Sequence, residues 1–87
     1  MIAGNKSHHY LEVDEIDHLT LSYKDFGKSL DRDRAVKMIL FYSDAYDEVR
    51  KSLDAGRMTK TFLDNLDDKA LYDILIIIRT VLLDAVL

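Results

Sequence analysis

The 87-residue chain has no cysteine, no proline and no tryptophan, and only three glycines. Without cysteine there is no disulfide framework, no thiolate zinc module and no cysteine-ligated iron–sulfur cluster. Without proline the strongest helix breaker is missing, so the chain reads as helical throughout. No run of 18 apolar residues occurs, and the nearest approach, Ile74 to Leu87, is interrupted by Arg79, Thr80 and Asp84. A membrane-spanning helix is therefore not expected. Residues 1–9 also lack the continuous apolar core of a secretory signal, which makes a cytoplasmic protein the expectation. An excess of basic charge is absent too. Sixteen acids against twelve Lys and Arg give a net charge of -4. Such a surface is repelled by phosphate backbones, so direct nucleic-acid binding is disfavoured and a basic protein partner is favoured.

What is present is apolar content, 48% of the chain, enough for one core in one domain of this length. Residues 1–9 show little periodicity and read as a flexible tail, with a single helical domain over 10–87. Ile16, Leu19, Tyr23, Phe26 and Leu30 step by three and four, which predicts a helix near 14–26 in preference to a short hairpin. Asp14, Glu15 and Asp17 then fall in its first turn, where the helix dipole favours negative charge. Gly27 is its natural stop. Ser29 is the expected N-cap of a second helix over 30–54. Its apolar stripe, Ala35, Ile39, Tyr42, Tyr46, Val49 and Leu53, steps alternately by four and three without a gap. Gly56 should end it.

Thr61 followed by Asp64 suggests a cap for a short helix near 60–65. Asp67 reads as the N-cap of a last helix from 68 to the end, with Leu66 and Leu71 as its hydrophobic staple. From Ile74 onward eleven of fourteen residues are apolar. The expected fold is all-α: three main helices and one short helix in a small bundle. The apolar surplus of the last helix exceeds what so short a chain is expected to cover. Ile74, Ile77, Ile78, Val81 and Leu82 are thus the expected self-association surface, and a homo-oligomer is the expected state.

Motifs for chemistry are incomplete. Gly27-Lys28-Ser29 lacks the upstream glycine of a phosphate loop, whose place is taken by Ser22. Glu15 and His18 have the Glu-x-x-His spacing of di-metal bundles, but one such motif is half a site. His8 and His9 add imidazoles without further ligands. No Gly-x-Ser-x-Gly elbow occurs. No catalytic residue, metal ligand or cofactor is therefore assigned, and the chain is not expected to be an enzyme.

Interaction residues can be assigned. Glu12, Asp14, Glu15 and Asp17 place four acids in six positions without a base, a patch for a basic partner. Phe41, Tyr42 and Tyr46 are aromatics of the kind favoured at interfaces. Arg79 is the one base inside the apolar C-terminal stretch and should find an acid, on Asp73 or on another helix, or an anionic ligand. In length, acidity and helicity the chain resembles small regulators such as anti-sigma factors, bacteriocin immunity proteins and phage-encoded inhibitors. The residue patterns defining those families are absent from it. The expected function is regulation or inhibition by occluding a protein partner. The alternatives are an assembly subunit of a homo-oligomer and a small bundle binding an anion or a metal.

Overall fold

Among the described residues five helices account for the fold: α1 (Ile2–Lys24), α2 (Arg32–Ala45), α3 (Asp47–Leu53), α4 (Lys60–Asp64) and α5 (Asp68–Val86), with a 3-10 turn at Ala55–Arg57 between α3 and α4. The computed structural model describes the backbone of residues 2–86 and the side chains of residues 13–54 and 56–84. The all-α expectation holds: no strand occurs among the described residues.

The first helix differs from its expected extent. It begins at Ile2, so residues 2–9 continue α1 where a loose tail is expected. No proline stops the helix there, and extending an existing helix needs no new nucleus. Gly4 resists most, by about 1 kcal/mol relative to Ala. Asp14, Glu15 and Asp17 consequently lie in mid-helix, and α1 has no acid in its first turn. The dipole does not explain them.

Gly27 does end this segment, with φ +65° in the left-handed region, and the Lys28 N–H donates to Ser22 O at 3.0 Å. A Cβ at Gly27 would meet nothing within 4 Å. Gly27→Ala is therefore a pure backbone test, expected to cost about 1–2 kcal/mol in urea unfolding without altering the m-value.

Other boundaries also shift. Asp31, not Ser29, caps α2, its Oδ1 accepting from Arg34 N–H at 3.2 Å. Thr59, not Thr61, caps α4, with Phe62 N–H at 3.1 Å from its Oγ1. Asp67 caps α5 as expected, through Ala70 N–H at 2.9 Å.

The helix expected over 30–54 is broken at Tyr46, whose φ of -125° and ψ of 121° are extended. Neither Gly nor Pro stands there. Asp47 and Glu48 open α3 with negative charge, which favours a helix start. Arg50 bridges the break, donating to Asp44 O and pairing with Asp47. The second half ends at Asp54, in the left-handed region at φ 54°, and not at Gly56.

The core gathers around α5. Leu71, Leu75, Ile78 and Leu82 step by four, three and four and are at most 1% exposed. Against them lie Val13 and Ile16 of α1, Ala35, Ile39 and Tyr42 of α2, Val49 and Leu53 of α3, and Leu63 of α4. The Cα trace measures 39 × 32 × 16 Å, about two helix layers in its thin direction. One strip of α5 therefore stays uncovered. Its exposed residues are Lys69, Asp73, Ile77, Thr80 and Asp84, one apolar residue among five.

Candidate functional site

The α1–α5 seam is where the chemistry-bearing residues meet. Asp17 on α1 reaches Arg79 on α5, with Nε donating to Oδ1 at 2.5 Å. Two turns further along α1, the Tyr23 ring tilts over Tyr72, with centroids 5.5 Å apart. Rising numbers on α1 meet falling numbers on α5, so the two helices run antiparallel. Lys69 lies 6.0 Å from the Tyr72 ring centroid and bonds Asp73 at 2.8 Å. Its ammonium pKa is raised, first by that hydrogen bond; Lys60 is raised in the same way by Asp64 at 2.7 Å.

An open cleft of about 460 Å³ follows the seam. Leu21, Tyr72 and Ile76 supply its apolar surface, and Leu21 is 44% exposed. Asp17 and Arg79 line it together with Lys24 and Asp25. Leu21 stands on the outer stripe of α1 with Asp14 and His18, all exposed. A second cleft, about 350 Å³, lies between α1 and the α1–α2 connection and is lined by Glu15, His18, Lys28 and Arg34 among others. Glu15 and His18 thus share a pocket with two cations, a poor setting for a metal ion. Among the described residues no group of three His, Asp or Glu is placed to hold one. His8 and His9 lie outside the described side chains.

The expected site residues divide. In the acidic patch, Asp14 and Glu15 are exposed and Asp17 is half-exposed in its pair with Arg79. Glu12 falls outside the described side chains. Arg79 finds its acid on another helix, not at Asp73, which pairs with Lys69. Of the aromatics, Phe41 is 58% exposed while Tyr42 is buried in the core and Tyr46 is half-buried at the break.

The self-association set is divided most sharply. Ile78 and Leu82 belong to the chain's own core, so a second copy cannot reach them while the bundle is closed. Ile74 and Val81 are half-buried and only Ile77, at 42%, is exposed. The physical reason is that α1, α2 and α3 all pack on α5, and together they cover most of its surplus.

Sequence reasoning missed Arg32. Its Nη1 bonds Asp68 Oδ1 at 2.8 Å, and its Nη2 donates to the carbonyls of Asp64 and Leu66. One guanidinium thus ties the start of α2 to the α4–α5 junction. In the sequence Arg32 stands among Arg34, Lys37 and three Asp, and nothing there separates it from solvent-facing neighbours.

The class defined by this fold is the small all-α helical protein. No protein-family model, no curated protein and no solved structure matches the chain. No described helix is long and apolar enough to cross a membrane.

Proposed function

We propose that the chain is a non-catalytic cytoplasmic binding protein, a regulator or inhibitor that works by occluding a protein partner. The observation carrying this reading is Leu21, 44% exposed beside an open cleft that Asp17, Lys24, Asp25 and Arg79 also line. An exposed apolar residue within a charged rim is the arrangement of a small interaction core. The net charge of -4 over the whole chain favours a basic partner.

The test compares two variants as bait in the native host. Leu21→Asp places a charge in the cleft, and Thr80→Asp places one on the exposed strip of α5. A specific protein retained by wild type and by Thr80→Asp, but lost at least tenfold from Leu21→Asp at unchanged circular dichroism, is the expected result. Equal capture by both variants, or no specific capture by wild type, would sink the reading.

A further inference from the structure

The break at Tyr46 divides what the sequence writes as a single helix. In sequence, the stripe from Ala35 to Leu53 runs through it without losing register. In structure, a residue that is neither Gly nor Pro takes an extended conformation there, and its side chain makes no cap bond to α3. Breaking a helix orphans the last carbonyls of one half and the first N–H groups of the other. Two backbone bonds still span the break, Tyr46 N–H to Tyr42 O at 3.1 Å and Arg50 N–H to Tyr46 O at 3.0 Å, and Asp44 O is taken up by the Arg50 side chain. One turn before the break, Ser43 Oγ is buried with no hydrogen-bond partner. The seven residues of α3 are too few to hold a helix alone. Val49, fully buried, and Leu53, 7% exposed, anchor it to the core around α5.

We propose that Tyr46 is a hinge, and that the chain self-associates by exchanging everything from Asp47 onward with a second copy of itself. In the exchanged form α2 and α3 join into one straight helix over Arg32–Leu53, about 33 Å long. The interrupted backbone hydrogen bonds across the hinge are restored. α3 remains on the α5 of its own chain. α1 and α2 pack on the α5 of the other, and the pairs Asp17–Arg79 and Arg32–Asp68 re-form between chains. Every core contact outside the hinge is thereby kept, which is why exchange is a low-cost route to a dimer. This rests on the self-association part of the sequence reading and supplies a route that does not need an apolar outer face on α5.

The test uses the position after the hinge. Asp47 is the first residue of α3, where proline is tolerated, and the extended Tyr46 already has the conformation that a following proline imposes. Asp47→Pro therefore fits the backbone of the broken form, at the loss of the exposed Asp47–Arg50 pair, and forbids the straight helix. Tyr46→Ala does the reverse, favouring the dimer about fivefold through the helix propensity gained at its two hinges. Each chain is refolded at high concentration, and its mass is then measured by size exclusion with light scattering.

The expected result is a slowly dissociating dimer for wild type, a folded monomer for Asp47→Pro and an enriched dimer for Tyr46→Ala. A folded Asp47→Pro that dimerises like wild type overturns the exchange and leaves association through another surface. Wild type that stays monomeric overturns both. If Asp47→Pro fails to fold, the decision falls to Tyr46→Ala, and a dimer fraction no greater than wild type overturns the hinge.

Discussion

Ile78→Ala is expected to lower stability by about 2–5 kcal/mol, and Ile77→Ala by no more than about 0.5 kcal/mol. The two residues are neighbours with the same side chain, but Ile78 is 0% exposed and Ile77 is 42% exposed. Ile78 sits in the Leu71–Leu75–Ile78–Leu82 row that the other helices cover. Its truncation removes apolar contact and leaves a cavity that a packed row cannot fully collapse. Ile77 already faces water across much of its surface. For a domain of this size the larger loss lowers the melting temperature by roughly 8–40 °C. Parallel thermal melts followed by circular dichroism measure both. Similar shifts for the two variants would mean that α5 is rotated from the orientation described, or that Ile77 is covered in solution by another molecule.

Arg32→Ala is the second large effect, expected at about 1–3 kcal/mol. The guanidinium makes three hydrogen bonds to the segment that joins α4 to α5. Two go to carbonyls at the end of α4 and beyond it, groups that no helix satisfies. The third neutralises Asp68 in the first turn of α5. The side chain is 37% exposed, so water replaces part of what is lost and the upper end of the range is not expected. Arg32→Lys should recover less than half, because an ammonium cannot bond carboxylate and carbonyl groups in a fixed fork. The check is chemical denaturation of the three chains side by side. Full recovery by lysine would reduce Arg32 to a surface charge worth little.

Much of the fold was legible because it is written locally. A chain without proline and with apolar residues every third and fourth position has one economical solution. The cap at Asp67 and the stop at Gly27 depend on neighbours within a turn, and both stand where the sequence puts them. The apolar weight of α5 was legible in the same way, but its buried row was not: Ile78 and Leu82, expected on an outer face, lie in the core. The candidate site was less legible. Asp17 and Arg79 stand far apart in the chain, and neither residue says which acid or base it will meet. Arg79 could be expected to seek an acid, but choosing Asp17 required the antiparallel register of α1 on α5.

The sequence by itself determined that the chain is helical, that its most apolar stretch is the centre, and that no cysteine or thiolate chemistry is present. These follow from composition and period, which act over one or two turns. The tertiary structure decided the rest. It set which isoleucines of the last helix are core and which is surface, because three helices packing on α5 choose its buried face. It chose Arg32 from several similar cations, because the α4–α5 junction comes within hydrogen-bond reach of its guanidinium. It also broke an unbroken stripe at Tyr46, because α2 and α3 each pack on α5 and the chain turns between them. That choice belongs to long-range packing, and a stripe that is continuous in sequence carries no mark of it.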